Sequence, residues 1–264
     1  MRPFFLSAGG TRLEAVWHGP PPDEAPTLVF LHEGLGSVSL WKDFPEALAA
    51  RTGLGALVYS RRGYGKSDSV LLPRPLDDMQ QEGLRGLPEV LRAAEVGEFL
   101  LVGHSDGASI ALVYAGSSPA PGLRGVVVEA PHVFCEDVSV RSISAARDAY
   151  ERGDLRERLR RHHGDNVDGA FWGWNRAWLD PGFRKWNLES FLPGIRVPLL
   201  VLQGEGDEYG TAAQVEAIAR RAGAGATVVM LPECGHSPHR DQRERTLQQM
   251  ADFIQRALAE EESR

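Results

Sequence analysis

Short apolar runs alternate with stretches of helical spacing over the first half of the chain. Thr27 to His32, Gly55 to Ser60, Phe99 to Gly103 and Gly125 to Glu129 have the length and continuity of strands buried on both faces. Between them, Val38 to Arg51 repeats apolar residues at helical spacing (Leu40, Phe44, Leu48) and stops near Gly53. Gln81 to Val96 also reads as a helix, which Pro88 should break or restart. Strands alternating with helices predict a parallel sheet covered on both sides.

The pattern changes from His132 to Ile195. No buried strand is predicted there. The segment is arginine-rich and helical in period, and it holds four of the six tryptophans: Trp172, Trp174, Trp178 and Trp186. After Pro193-Gly194 the alternation returns, with strands at Val197 to Gln203 and Ala226 to Leu231 and helices at Thr211 to Ala222 and Arg243 to Ala259. The simplest account is an α/β core of residues 1–131 and 196–264 interrupted by a helical insertion of residues 132–195.

Composition narrows the function classes. The 264 residues are 42% hydrophobic and 25% charged, as in a soluble globular protein with ample core. A net charge of −7 argues against nucleic acid as a partner, since that affinity needs a basic face. The basic run Arg156 to Arg161 reads as a solvated helix face. Cys135 and Cys234 are too few for a disulfide framework and too far apart to suggest a metal pair. The opening Met1 to Leu6 has too short an apolar run for a signal peptide, and no segment has the apolar length to span a bilayer. The expectation is a cytoplasmic protein with no membrane partner, either a monomer or a homodimer.

Candidate chemistry gathers at loops that follow the predicted strands. Gly103-His104-Ser105-Asp106-Gly107 is a Gly-x-Ser-x-Gly turn between an apolar strand and a helix of small residues. Its glycines permit a sharp turn that holds the serine hydroxyl exposed at the strand end. Such a serine is a nucleophile only with a base in reach. His236, in Glu233-Cys234-Gly235-His236, follows the last predicted strand, and Asp207, in Gly204-Glu205-Gly206-Asp207, follows the one before. A carboxylate there can orient the histidine and stabilise its charged form, with Glu205 and Glu208 as competing candidates. Leu31-His32-Glu33-Gly34-Leu35-Gly36 is either an ordinary loop or a turn whose N–H groups face an oxyanion. Ser60-Arg61-Arg62-Gly63-Tyr64-Gly65-Lys66-Ser67 is a compact loop that lacks the third glycine of a phosphate fingerprint.

The order Ser105, Asp207, His236 and the five turns just quoted resemble the α/β-hydrolase superfamily over nearly the whole chain. The resemblance implies an eight-stranded, mostly parallel sheet with helices on both faces and a helical cap after the sixth strand, where residues 132–195 lie. It implies Ser105 as nucleophile, His236 as base and Asp207 as its orienting acid. The backbone N–H groups of Asp106 and Gly34 become the oxyanion donors, with no cofactor or metal. The family's usual His-Gly at the first turn is His32-Glu33 here, which puts a carboxylate near the site. Serine at the elbow sets the chain apart from superfamily dehalogenases and epoxide hydrolases, which use aspartate, and from dienelactone hydrolases, which use cysteine. What remains is cleavage of a small-molecule ester, lactone, thioester or amide. The alternatives are hydrolysis of a C–C bond beside a carbonyl, or a ligand sensor of the same fold with little turnover.

Substrate contacts are expected from Glu33, from His132 at the entry to the insertion, and from Trp172, Trp174 and Trp178. Trp174 and Trp178 share a helix face at i, i+4 spacing. The Asp106 side chain either pairs with a neighbouring loop, the more ordinary outcome, or attracts a cationic group on the substrate. His162-His163 with Asp165 resembles a metal cluster only superficially, because adjacent residues on a helix diverge by about 100°.

Overall fold

Alternate residues of the central strands face opposite sides, as the two-residue period of a strand requires. Val29, Leu31, Leu101, Val126, Val128 and Val201 join one apolar cluster, while Leu28, Phe30, Leu100, Val102, Val127 and Leu202 join the other. Both clusters are closed to solvent, so the sheet is the middle of three layers. The computed structural model describes residues 3–117 and 119–262.

The strands are β1 Phe4–Ala8, β2 Thr11–His18, β3 Thr27–Leu31, β4 Gly55–Tyr59, β5 Phe99–His104, β6 Leu123–Glu129, β7 Leu199–Gly204 and β8 Thr227–Leu231. They form one eight-stranded sheet in the order β1-β2-β4-β3-β5-β6-β7-β8. β2 runs antiparallel to β1 and β4, and the remaining pairs are parallel. The helices are α1 Phe44–Thr52, α2 Asp78–Gln81, α3 Leu87–Ala93, α4 Asp106–Gly116, α5 Asp137–Arg152, α6 Leu155–His163, α7 Val167–Leu179, α8 Ala212–Arg221, α9 Pro238–Asp241 and α10 Arg243–Glu262. Phe44 and Leu48 of α1 and Leu247, Met250 and Ile254 of α10 cover one face. Residues of α3, α4 and α8 cover the other, and buried residues of α5 to α7 join the same apolar cluster. This is the α/β-hydrolase fold. Among the described residues no helix is long and apolar enough to cross a membrane.

The predicted strands and helices are present, with three differences. The N-terminal hairpin was not among the predicted runs. It turns at Gly9-Gly10, both with positive φ (56° and 74°), a glycine pair that signals a two-residue hairpin. The predicted helix Val38 to Arg51 is two pieces, a single 3₁₀ turn Val38–Trp41 and α1, because Lys42 adopts a positive φ (53°) and Pro45 restarts the helix. The helix around Pro88 begins earlier, at Asp78, and runs through a π-type turn at Glu82–Gly86 into α3. The widened turn comes just before proline, which lacks the N–H a regular helix would use there.

Between β6 and β7 the chain runs through α5, α6 and α7, and a single bridge, Phe134 to Asn187, is its extended pairing among the described residues. His163 ties this helical segment to the sheet side. Its buried ring accepts the Gly65 N–H at Nδ1 (3.0 Å) and donates from Nε2 to Leu35 O (3.0 Å). Arg156, Arg158 and Arg160 are exposed and pair with Asp168, Asp154 and Glu157, a solvated face as the sequence suggested.

Candidate active site

The carboxyl ends of β3, β5, β7 and β8 meet at one place. This is the edge where open α/β sheets bind ligands, because the loops diverge there. β5 delivers Ser105 in a turn that packing leaves no choice about. A Cβ on Gly103 would lie 2.5 Å from Gly107 O, and one on Gly107 would lie 2.0 Å from Leu31 O. Ser105 takes a positive φ (53°, with ψ −117°), a strained conformation for a residue with a side chain, costing about 1–3 kcal/mol. Its N–H donates to Glu129 O on the neighbouring strand (2.9 Å), and its carbonyl accepts from Ser109 N–H as α4 begins.

Asp207 and His236 arrive from the loops after β7 and β8. Ser105 Oγ lies 2.9 Å from His236 Nε2, and His236 Nδ1 lies 2.8 Å from Asp207 Oδ1. The carboxylate is further held by Gln203 Nε2 (2.7 Å) and by the N–H groups of Tyr209 (2.8 Å) and Gly210 (3.2 Å). Burial raises its pKa, but the hydrogen bond and charge of His236 and the Tyr209 N–H outweigh this and leave it below the ordinary aspartate value. Of the competing acids, Glu208 accepts from the His236 backbone N–H and not from its imidazole, whose Nδ1 faces Asp207.

The turn after β3 is braced by His32. Its Nδ1–H donates to Glu33 O (2.7 Å), and its Nε2 accepts the Arg61 N–H (3.0 Å). Burial first, then the Arg61 charge, pull its pKa well down, so the ring is neutral. Gly34 faces the elbow closely: a Cβ there would lie 2.2 Å from Trp174 Nε1 and 3.0 Å from Asp106 Oδ2. Trp174 and Trp178 line a small cavity with Asp106, Tyr64, Arg74 and Phe183. His132 is buried, its ring 5.6 Å from that of His236 and 5.2 Å from that of Trp178. Burial, then the His236 charge, bring its pKa down to about 3. Trp172 goes elsewhere: its ring contacts are Tyr150, Phe171 and the Arg176 guanidinium, all within the helical segment. A larger hollow of about 620 Å³ opens at the opposite edge, at the starts of β6, β7 and β8, away from Ser105.

Residues 28–249 match the model of the alpha/beta hydrolase family. The chain belongs to that family. The chain is 32% identical over 147 residues to the 2-succinyl-6-hydroxy-2,4-cyclohexadiene-1-carboxylate synthase of Enterobacter sp. (strain 638), covering 56% of this chain and 52% of the relative. It is 36% identical over 103 residues to an sn-1-specific diacylglycerol lipase of Danio rerio, covering 39% of this chain and 31% of the relative. The chain thus spans about half the length, or less, of these relatives. Its backbone matches the esterase of Exiguobacterium antarcticum with a TM-score of 0.75 at 19% identity, over 96% of this chain and all of that one (100%), which is a likeness of fold.

Behind Ser105 the chain carries a largely buried polar network that sequence reasoning missed. His104 Nε2–H donates to the backbone carbonyl of His236 (2.7 Å), and its Nδ1 stands 3.6 Å from Glu33 Oε2. Glu129, fully buried at the end of β6, accepts from His239 Nδ1 (2.6 Å). Burial raises the Glu33 pKa, but His104, His32 and His239 outweigh it and hold the carboxyl below the usual carboxylate range. Burial lowers that of His104, and Glu33 and Glu129 outweigh this and raise it. Glu33, expected against substrate, stands beside the elbow residue His104 with 28% of its side chain exposed. His104, Glu129 and His239 bring one ligand atom each within 4.8 Å of one another, within reach of a divalent cation, although Glu129 Oε2 already accepts a hydrogen bond from His239. One signal was available: polar residues at strand ends, where apolar ones are the rule.

Proposed function

We propose that this hydrolase cleaves a small carboxylic ester, lactone or thioester through an acyl-enzyme on Ser105. The observation that carries the reading is the continuous hydrogen-bond chain from Ser105 Oγ through both ring nitrogens of His236 to Asp207. In the working tautomer, Nδ1–H donates to Asp207 and Nε2 accepts the serine proton. As Oγ attacks the carbonyl carbon, that proton moves to Nε2, and Asp207 stabilises the imidazolium that forms. The negative charge developing on the carbonyl oxygen falls at the N-terminus of α4, where the Asp106 N–H and, from the facing turn, the Gly34 N–H receive it. His236 then protonates the leaving group. A water takes its place and attacks the acyl carbon as His236 takes its proton; the bond to Ser105 Oγ breaks, His236 returns the proton to Oγ, and the acid leaves.

Residues 132–195 act as a cap over the core of residues 1–131 and 196–264. Trp174, Trp178 and His132 are the substrate-facing side chains, Glu33 bears on the site through His104, and Trp172 is assigned to packing within the cap. The lipase relative supports ester chemistry. The synthase relative supports a second reading, bond making or breaking at carbon beside a carbonyl, on the same triad.

A fluorophosphonate probe and p-nitrophenyl butyrate test the first reading together. Wild type should be labelled and should turn over the ester, and Ser105→Ala should lose both, with turnover falling by about 10⁴-fold or more. Retained turnover in a contamination-free Ser105→Ala preparation would overturn it. Rapid cleavage of a vinylogous diketone with negligible ester turnover would favour the second reading.

A further inference from the structure

Asp106 presents a buried carboxyl with no hydrogen-bond partner at Oδ1. The residue is 6% exposed, directly follows the nucleophile, and opens α4. Its other oxygen lies 3.0 Å from where a Cβ on Gly34 would stand, so the carboxyl leans over the turn opposite the elbow. A buried polar atom left unpaired is costly, more so when charged, and native proteins keep such groups for a reason. The Trp178 indole N–H faces the carboxyl, but neither it nor Asp106 Oδ1 completes a hydrogen bond, and the nearby cations do not supply the missing partner. Arg74 is bound to Asp78 (3.0 Å) and to Arg62 O (3.0 Å), and Arg61 to Glu33 O (3.1 Å) and His32.

The space in front of the carboxyl is specific in size and chemistry. The cavity lined by Asp106, Trp174, Trp178, Tyr64 and Phe183 has a volume of about 20 Å³, room for one water-sized group. Aromatic walls with a carboxylate at one end suit an ammonium group, through cation–π attraction and a charge-assisted hydrogen bond. The position also has an electrostatic consequence for the reaction. An ionised carboxylate beside the two oxyanion donors repels the charge that forms there, unless a cation on the substrate cancels it.

We propose that the Asp106 carboxylate selects acyl groups that carry an ammonium next to the scissile carbonyl, as in an α-amino acyl ester. The ammonium donates to Asp106 Oδ1 and sits against Trp174 and Trp178, while the carbonyl meets Ser105. This rests on the serine-hydrolase reading above and narrows its substrate to amino acyl compounds.

The test compares three methyl esters of matched size at pH 7: alaninate, lactate and propionate. Wild type should favour alaninate over propionate in kcat/KM by about 10- to 150-fold, the range of one charge-assisted hydrogen bond, with lactate close to propionate. Asp106→Asn should bring the alaninate and propionate values within about threefold of each other. No alaninate preference in wild type, or a preference that survives Asp106→Asn, overturns the proposal. A lactate value equal to alaninate also overturns it, since a neutral donor would then suffice. Wild type alone gives a second readout: n-propylammonium should slow fluorophosphonate labelling of Ser105 and n-propanol should not, and equal effects count against the proposal. Failure of the underlying reading looks different, because labelling and turnover would then be absent or would persist in Ser105→Ala.

Discussion

The two sides of Ser105 are built on opposite principles. Behind it, most charged and polar groups find a partner: Glu33 stands 3.6 Å from His104, His104 donates to the His236 carbonyl, and Glu129 accepts from His239, while His104 Nδ1 and Glu129 Oε1 make no hydrogen bond. In front of it, the Asp106 carboxyl faces aromatic rings and a small cavity with no protein donor at Oδ1. Burial pushes the Asp106 carboxyl up to about 6, with Arg61 opposing, whereas Asp207 and Glu33 are held below their ordinary values. Asp106 and Asp207 are closed off from water, and Glu33 keeps 28% of its side chain exposed. Asp207 and Glu33 each face a histidine, whereas Asp106 faces indole and phenyl rings and no cationic side chain bonds to it. The matched side holds the loops that carry Ser105 and His236, and the unmatched side leaves a place for something the chain itself does not supply.

Breaking the matched side at the triad should have the largest effect. Asp207→Asn leaves the shape of the site but removes the charge that fixes the His236 tautomer, so kcat should drop by about 10⁴-fold. Steady-state kinetics on p-nitrophenyl butyrate check this, and a loss below tenfold would mean another acid serves His236. Next comes Glu129→Ala, which leaves the His239 imidazole without its buried acceptor and should destabilise the fold by about 3 kcal/mol or more, seen as a lower urea midpoint. An unchanged midpoint would show that this network fills space and does not brace it.

The unmatched side should respond with the opposite sign. The Asp106 carboxyl has a folded-state pKa of about 6 against an ordinary 3.8, so its ionised form weakens the fold. That penalty is absent below about pH 4, grows as the pH rises to about 6, and is complete above it. Asp106→Asn should accordingly be more stable than wild type by about 3 kcal/mol at pH 8, with the gain disappearing near pH 4. Chemical denaturation at the two pH values measures the difference, and a variant less stable at pH 8 would show that the carboxylate has a partner after all. The smallest effect is expected from Trp172→Ala. Its half-exposed ring packs within the helical segment, so kcat/KM should stay within about twofold while stability falls by about 1 kcal/mol. A tenfold loss in kcat/KM would place Trp172 at the substrate.

Much of the fold was legible because buried parallel strands and amphipathic helices each leave a period in the sequence. β3 to β8 and the helices around them follow from that period and from the glycine turns. The N-terminal hairpin was missed because its strands are short and partly exposed, although Gly9-Gly10 marked its turn. Ser105, Asp207 and His236 were legible because each sits in a glycine-marked loop after a strand. The partners of Glu33 were not, because its contact with His104 joins loops of two separate strands and depends on the strand order. The three tryptophans share one segment of sequence, yet Trp172 points away from Trp174 and Trp178, as residues not three or four apart on a helix do.

The sequence by itself determined the α/β sheet, the helical segment between β6 and β7 and the order of Ser105, Asp207 and His236 in glycine-marked turns, since local periodicity and turn chemistry specify these without reference to distant residues. The tertiary structure alone decided which buried carboxyls find a donor. A hydrogen bond requires donor and acceptor within about 3 Å, and for Glu129, Asp106 and Asp207 that distance is set by how separate strands stack in the sheet.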